Sequence, residues 1–175
     1  LISDANIVVL QNEIPHEANL SIAKFCQENQ VKVLYNPAPA RETDIEMIPF
    51  CDFITPNEHE CSELFPDKKL EEIIKIYPNK MIVTLGVEGS IYYDGTAVQK
   101  IPAIKAEVVD TTGAGDTFNG AFAYAISKGK EMNVALSFAT IASHLSVQRF
   151  GAQGGMPSLK EIKEHSGYEE IWDFK

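Results

Sequence analysis

The sequence has few cysteines and no long apolar stretch, and each shortage excludes a class of protein. Cys26, Cys51 and Cys61 lie far apart, without the close spacing of a metal site or the density of a disulfide framework. No apolar run approaches the ~18 residues that a membrane-spanning helix needs. No signal peptide is visible either, so we expect a cytoplasmic protein that keeps its thiols reduced.

Positive charge is also scarce. The 175 residues include 15 lysines and arginines against 25 aspartates and glutamates, which gives a formal net charge of −10. This balance argues against nucleic acid or an anionic membrane as the main partner. An anionic ligand remains compatible with it, since local amides and a bound cation can outweigh the overall field.

The most informative segment is residues 108–117, which read VVDTTGAGDT. Two β-branched residues end a predicted strand, a turn bracketed by Gly113 and Gly115 follows, and Asp116 stands near the start of an apolar helix. The first amides of a helix have no internal partner and favour negative charge. A carboxylate beside such an anion site suits phosphoryl transfer, because the amides hold the migrating group while the carboxylate takes a proton from the attacking hydroxyl. The alternative is structural: Asp116 complements the helix dipole and the glycines form a tight turn.

Apolar runs and helical patterns alternate along the first half of the chain. Strands are predicted at residues 6–10, 31–35, 51–54 and 81–85. Helices are predicted from Pro15, from near Asn57 and over residues 70–77. The run at 6–10 is apolar throughout, which indicates a strand buried on both faces. The alternation predicts a parallel α/β sheet, whose ligands gather beyond the carboxyl ends of the strands.

The second half of the chain predicts a hairpin followed by helices. We expect two strands, at residues 90–93 and 96–101, followed by two long helices, at residues 114–127 and 131–147. A loop at residues 151–155 and a last helix from residue 157 onward complete this half. Asp94-Gly95 between the two strands is typical of a type I′ turn. The helix over 131–147 is apolar on most faces, so we expect it to be buried.

Residues 110–116 resemble the second signature of the ribokinase-like sugar kinases, the PfkB family. Residues 36–41 and 149–153 resemble the ribokinase branch of that family more than its other members. The resemblance implies an α/β fold, a three-layer α/β/α sandwich with a mostly parallel sheet plus a β-hairpin. It runs from near residue 7 to near residue 163, so residues 1–175 are expected to be the nucleotide-binding and catalytic C-terminal part of a ribokinase-like domain. The first strands, the glycine-rich sugar signature and the small β-lid of the family would lie outside this chain, which begins at Leu1.

The resemblance assigns roles around the turn. Asp116 would be the general base that deprotonates the sugar's primary hydroxyl, O5 of ribose, for attack on the γ-phosphorus of ATP. Gly113, Ala114 and Gly115 would supply amides of an anion hole. Glu13, in the segment QNEIP, would hydrogen-bond the sugar. A solvated loop carboxylate is an equally weighted alternative for Glu13.

Other positions would hold the nucleotide and Mg²⁺. In the family's Asn-x-x-Glu motif, Asn57 would contact the phosphates and Glu60 would hold hydrated Mg²⁺. The same spacing is that of a helix capping box. The spacing alone favours this structural interpretation, but the family resemblance favours the role in binding the nucleotide and Mg²⁺. Thr84, Gly86 and Gly89 of the loop TLGVEG would lie near ATP, against the alternative of a plain glycine turn.

The resemblance also implies activation by a monovalent cation, K⁺, beside the anion hole. The matching positions, mostly through carbonyl oxygens, are Asp110, Thr112, Ser146, Arg149, Gly151 and Gly155. Gly155 stands where serine is common, so a side-chain ligand is lost although the backbone oxygen can serve. Arg149 could instead be a solvated cation at a helix end. Thr140 falls where the family contacts adenine, and it could equally be a core residue.

Three functions stay open at this point. The first is ATP-dependent phosphorylation of D-ribose to ribose 5-phosphate by a longer parent protein, with this chain alone inactive. The second is a nucleotide-binding fragment without catalysis, because an incomplete site would admit water and position the sugar poorly. The third keeps the family and changes the sugar, for example to fructose. An unpaired sheet edge would favour self-association, so a homo-oligomer is possible.

Overall fold

The computed structural model describes residues 1–174 and falls into two compact units. The first comprises Leu1–Gly86 with Ser90–Lys100, and the second comprises Val87–Gly89 with the chain from Ile101 onward. Within the described residues, no helix has both the length and the apolar character that crossing a bilayer demands.

A parallel sheet forms the centre of the first unit. Its strands β1 (Ile7–Gln11), β2 (Lys32–Asn36) and β3 (Phe53–Ile54) lie in that order. Val33 and Leu34 of β2 are fully buried, as expected for a central strand. The connections contain three helices and a 3-10 segment, namely α1 (His16–Glu28), the 3-10 segment Glu42–Phe50, α2 (Glu58–Leu64) and α3 (Leu70–Ile76).

The prediction that β1 is buried on both faces is wrong. Among the described residues β1 pairs only with β2, so it lies at the edge of this sheet. Neighbouring side chains of a strand point to opposite faces. Leu10 is 5% exposed whereas Val9 is 42% exposed, so only one face of β1 is covered at this point.

Three further strands form an antiparallel sheet in the order β4 (Ile82–Thr84), β5 (Ser90–Tyr93) and β6 (Val98–Ile101). Val83 of β4 lies opposite Ile91 of β5. Two isolated parallel bridges link the two sheets, one between Ile54 and Met81 and one between Asn57 and Thr84. The start of β4 therefore continues the parallel arrangement beside β3.

The predicted hairpin is present, but its turn is not of type I′. That turn requires a positive φ at both Asp94 and Gly95, and of the two only Gly95 has one, at 100°. The Asp94 carboxylate instead accepts hydrogen bonds from the amides of Thr96 and Ala97, each at 2.7 Å, and from the Thr96 hydroxyl. These donors, the Thr96 hydroxyl first, hold the pKa of Asp94 well below its ordinary value.

The second unit is helical, with α4 (Ala114–Ser127), α5 (Met132–Ser146) and α6 (Leu159–Glu164). The prediction for α4 is confirmed at both ends, and α5 is one residue shorter at each end than expected. Phe122 of α4 and Leu136 of α5 are fully buried. Burial of such a side chain contributes roughly 1.5–3 kcal/mol, so helix contact rather than local propensity holds this unit together.

The strand predicted before Asp110 is absent, since residues 102–109 form no strand. The Val109 amide donates to the Val147 carbonyl at 2.8 Å, and the Asp110 amide to the same oxygen at 3.2 Å. Val109 itself is 62% exposed. The segment is therefore held by attachment to the end of α5, which its β-branched composition alone does not reveal.

Near the end of the described chain, an aromatic residue packs against the apolar surface of α5. Phe174 is 1% exposed and stacks on Phe138 with ring centroids 4.2 Å apart. The Lys130 ammonium lies 5.1 Å from the Phe174 ring centroid and donates to the Asp173 carbonyl at 2.9 Å. These contacts tie the last residues to the helical unit.

Candidate active site

Residues of the first unit gather at the carboxyl ends of the parallel strands. Glu13 follows β1 and is exposed, while Asn57 follows β3. The parallel bridge sets Asn57 beside Thr84, whose amide donates to the Pro56 carbonyl at 3.0 Å. Gly86 comes next with φ 52°, and a Cβ there would meet nothing within 4 Å. Three predicted nucleotide-binding residues thus share one open edge, as expected for a parallel sheet.

Asn57 and Glu60 form the capping box that their spacing allows. The Asn57 side-chain oxygen accepts from the Glu60 amide at 2.8 Å, and a Glu60 carboxylate oxygen accepts from the Asn57 amide at 2.8 Å. Burial raises the pKa of Glu60, and the bond from the Asn57 amide opposes that rise. The side-chain nitrogen of Asn57 and the second oxygen of Glu60 lie outside the box, so capping and ligand binding are compatible.

In residues 1–174 no group of three or more histidine, cysteine, aspartate or glutamate side chains could hold a metal ion. The magnesium role predicted for Glu60 needs only one protein carboxylate, with water and phosphate oxygens as the other ligands. Mg²⁺ readily accepts such a shell, because it retains several waters.

The predicted anion site lies in the second unit, where α4 begins. Gly113 precedes the helix with φ 78°, and a Cβ there would lie 3.0 Å from the Cα of Ala152. Only glycine adopts this conformation readily and fits this close approach. Asp116 is exposed in the first turn, and Gly113, at the N-cap, has no side chain that could cap the helix.

The amides of this turn differ in how they are used. The Ala114 amide donates to the Thr111 carbonyl at 3.2 Å, so it is engaged within the turn. A Cβ on Gly115 would meet nothing within 4 Å, which leaves the backbone there open to approach. Of the three predicted anion-hole residues, Gly115 has the geometry that fits the role best. Its amide belongs to the positive end of α4.

Asp110 links the turn to the loop after α5. One carboxylate oxygen accepts from the Thr112 amide at 2.9 Å and the Thr112 hydroxyl at 2.7 Å, and the other accepts from the Gly151 amide at 2.9 Å. These bonds, led by the Thr112 hydroxyl, lower the pKa of Asp110. Three of the predicted cation-site residues are thus brought together around one ionised carboxylate.

Gly155 occupies a confined position among backbone oxygens. It is buried, and its amide donates to the Gly151 carbonyl at 2.8 Å. A Cβ there would lie 2.7 Å from the Ser146 carbonyl oxygen and 3.0 Å from that of Gly151. A serine would not fit without movement of the backbone. The convergent carbonyls are donors of the kind that a potassium ion accepts.

Arg149 and Thr140 have structural partners. The Arg149 guanidinium donates to the Glu161 carboxylate of α6, so its side chain is paired. Thr140 is 9% exposed, and its hydroxyl donates to the Leu136 carbonyl of the same helix at 2.8 Å. This geometry agrees with a core position for Thr140, and a contact with adenine stays a prediction.

The Arg149–Glu161 pair predicts a specific dependence of stability on pH. Arg149 first, then the Ser158 amide and hydroxyl, lower the pKa of Glu161 from 4.5 to about 2. A carboxylate with a lowered pKa stabilises the fold above its unfolded value, and this stabilisation is lost as the pH falls toward the folded value. We expect the urea midpoint of the full-length protein to fall between about pH 5 and pH 2, and Glu161→Gln to reduce that fall.

Glu164→Gln is the matched control for that experiment. Glu164 lies in the same helix and contacts Lys160 at 3.7 Å on the exposed surface. Exposed pairs of this kind contribute little to stability. If both variants kept the full acid dependence of the unmodified protein, the Arg149–Glu161 pair would not be its source.

Comparison with known proteins identifies the family. Residues 1–159 match the pfkB family of carbohydrate kinases, and the chain belongs to that family. It is similar to the ribokinase of Lactococcus lactis, with 66% identity over 162 residues, which are 93% of this chain and 54% of that protein. It is 45% identical to the ribokinase of Bacillus subtilis, over 93% of this chain and 56% of that protein. The chain spans about half the length of these relatives.

A solved structure agrees with this assignment. The structure of Arabidopsis thaliana ribokinase complexed with ribose and ATP matches 99% of this chain and 58% of that one, with a TM-score of 0.83 and 33% identity. The predicted α/β fold, with a parallel sheet and a β-hairpin, is confirmed. The roles of the individual site residues stay predictions.

Sequence reasoning missed one polar group, in which Asn12 and Asp44 are buried. Asn12, Arg41 and Asp44 contact one another, although 29 to 32 residues separate Asn12 from the other two. The folded arrangement of β1 and β2 brings these residues together. A spacing pattern in the sequence cannot reveal a contact between residues so far apart. Two sequence signals bear on this group: Asn12 stands beside the predicted sugar-binding Glu13, and Arg41 ends the segment 36–41 that carries part of the family resemblance.

Proposed function

We propose that this chain supplies the nucleotide-binding and catalytic residues of an ATP-dependent ribokinase that converts D-ribose to ribose 5-phosphate. The observation that carries the proposal is the exposed Asp116 in the first turn of α4, directly after a glycine turn whose backbone is open at Gly115. The similarity to ribokinases over 93% of the chain supports ribose as the acceptor.

The reaction would proceed by direct transfer. The Asp116 carboxylate takes the proton of the O5 hydroxyl of ribose while O5 forms a bond to the γ-phosphorus of ATP. The bond from that phosphorus to the oxygen it shares with the β-phosphate breaks, and ADP leaves with the electron pair. Amides at Gly113 and Gly115, with the positive end of α4, stabilise the charge on the transferring group.

Other residues would bind the nucleotide and its ions. Asn57, Thr84 and Gly86 would lie along the phosphates, and Glu60 would hold Mg²⁺ through water. When bound there, Mg²⁺ would supply positive charge that offsets the charge of the phosphates. K⁺ would be held mostly by carbonyl oxygens at the predicted positions. The Ser146 and Gly151 carbonyls lie close to Gly155, and the Asp110 carboxylate binds Thr112 and the Gly151 amide.

We also propose that the protein works in the cytoplasm. Cys26, Cys51 and Cys61 are all free thiols and buried. Burial raises the pKa of the Cys51 thiol to about 12 and that of Cys61 to about 11. Such thiols are unreactive and suit a reducing compartment.

The test is a coupled assay of ADP formation by the full-length protein with ribose, ATP, Mg²⁺ and K⁺. We expect ribose-dependent ADP formation and the appearance of ribose 5-phosphate. Fructose at the same concentration is the matched control, and turnover with fructose but not ribose would assign the protein to another sugar. The absence of ADP above the no-sugar background would refute the proposal. The 175-residue chain assayed alone should turn over little, because poor positioning removes much of the rate.

A further inference from the structure

Asn12, the neighbour of Glu13, is fixed by hydrogen bonds although it lies in a loop. It is 3% exposed. Its backbone amide donates to the Ala38 carbonyl at 3.2 Å, and its side-chain nitrogen donates to the Pro39 carbonyl at 2.8 Å. Its side-chain oxygen accepts from the Tyr35 hydroxyl at 2.7 Å. The residue before Glu13 is therefore held by both its backbone and its side chain.

A buried carboxylate organises this network. Asp44 is 1% exposed, and one of its oxygens accepts from the Asn12 side-chain nitrogen at 2.7 Å and from the Arg41 amide at 2.7 Å. Its other oxygen lies 4.0 Å from Nδ1 of His16, the first residue of α1. Taking a carboxylate out of water is unfavourable unless hydrogen bonds compensate it. The two short bonds of Asp44 supply such compensation at one of its two oxygens.

The Arg41 side chain completes the arrangement. With its amide held by Asp44, its guanidinium donates to the carbonyl of Asn12 and, at 3.3 Å, to that of Ile14. These two carbonyls belong to the residues on either side of Glu13. Arg41 therefore spans the backbone that carries Glu13, while the Glu13 side chain itself is exposed.

We propose that Asp44 and Arg41 are positioning residues for the sugar: they hold the Asn12–Ile14 backbone so that the exposed Glu13 carboxylate meets the ribose hydroxyls in a fixed orientation. This inference rests on the proposed ribokinase function and adds two residues to it. When the backbone that carries a carboxylate is already held, less conformational entropy is lost on binding a hydroxyl, so pre-organisation strengthens sugar binding. The effect belongs to sugar binding, because neither residue contacts the reacting atoms.

The first experiment separates sugar binding from turnover in the full-length protein. Asp44→Ala should raise the ribose KM about tenfold, the loss typical of removing hydrogen bonds to a charged group. The kcat and the KM for ATP should change less than about twofold. Asp44→Asn should restore much of the ribose KM, because its amide oxygen can accept the same two bonds. An equal fall of kcat and of both affinities would indicate general damage and overturn the proposal.

Arg41→Lys provides a second test that does not place a hole in the core. Lysine keeps the charge but cannot bridge the Asn12 and Ile14 carbonyls as a guanidinium does. We expect a rise of about threefold to tenfold in the ribose KM with normal expression. An unchanged ribose KM in Arg41→Lys would contradict the proposal even if Asp44→Ala failed to fold.

A double-mutant cycle tests whether these residues act through Glu13. If they do, Glu13→Gln alone should raise the ribose KM, and adding Arg41→Lys should raise it little further. Independent, multiplying effects would overturn the proposal. Hydrogen exchange of the Asn12 amide, which donates to the Ala38 carbonyl, tests the positioning without substrate, since Arg41→Lys should accelerate it. If the unmodified protein showed no ribose-dependent turnover, the ribokinase proposal would fail. If Arg41→Lys left the hydrogen-exchange rate unchanged, the positioning proposal would be refuted separately.

Discussion

Asp116→Asn should lower the kcat of the full-length protein for ribose about 1,000-fold, within the roughly 10²–10⁴-fold range of general base catalysis. Asparagine keeps the size of the side chain but cannot accept the hydroxyl proton. The Kd for ATP should change less than about twofold, because the amides of the turn and the predicted nucleotide-binding residues Asn57, Thr84 and Gly86 remain. Single-turnover kinetics and calorimetry with ATP–Mg²⁺ measure the two quantities separately.

Glu131→Gln is the matched control for this prediction. Glu131 is an exposed carboxylate that precedes the first turn of α5, and its side chain makes no capping hydrogen bond. It therefore shares with Asp116 a place near the positive end of a long helix. If Asp116 only complemented the helix dipole, the two variants would behave alike, and a nearly unchanged kcat in Asp116→Asn would exclude it as the base.

Gly89→Ala should destabilise the full-length protein by about 3 kcal/mol or more, through a strained backbone and a steric clash together. Gly89 has φ 96°, and a Cβ there would lie 2.0 Å from the Ile101 carbonyl oxygen and 2.6 Å from the Ala103 amide nitrogen. These are backbone atoms, which cannot rotate away as a side chain can. The urea midpoint of the purified variant measures the loss.

Gly95→Ala separates the two causes. Gly95 has a similar φ of 100°, but a Cβ there would meet nothing within 4 Å. Its substitution should cost only the strain, about 1 kcal/mol. Equal losses for the two variants would mean that the contact with Ile101 is not tight. A stable Gly89→Ala protein with weakened ATP binding would favour the role in nucleotide binding that the sequence suggested for Gly89.

Secondary structure was predicted best where the local sequence alone determines it. Residues 114–127 form α4 as expected, because the apolar face repeats with helical spacing and the glycine turn marks its start. The strands β2, β3 and β4 also follow from short apolar runs between turn signals. The turn at Gly113 combines short spacing with a specific backbone need, so the motif there indicates the family from sequence alone.

Predictions failed where distant parts of the chain decide the outcome. Val108 and Val109 have strand propensity, but the carbonyl of Val147 determines the backbone pairing of this segment. β1 has the composition of a central strand, but only β2 pairs with it within the described residues, which leaves Val9 exposed. Local composition cannot report which neighbour a strand receives.

The residues of the candidate site also differ in whether the sequence predicted them. Motifs predicted Asp116, Asn57 and Glu60, because the chemistry proposed for these residues depends on short spacings. The contact of Asn12 with Asp44 and the fit of Gly155 against the Ser146 carbonyl depend on folded loops. Such contacts have no counterpart in sequence spacing, so they emerge only from the folded chain.

The central claim is that Asp116 receives the proton of the sugar hydroxyl. The most direct measurement is a crystal structure of the full-length protein with ribose and a non-hydrolysable ATP analogue. We expect an Asp116 carboxylate oxygen about 2.6–3.2 Å from O5 of ribose, with O5 facing the γ-phosphorus. A carboxylate more than about 6 Å from O5, with another group in hydrogen-bond contact with that hydroxyl, would contradict it.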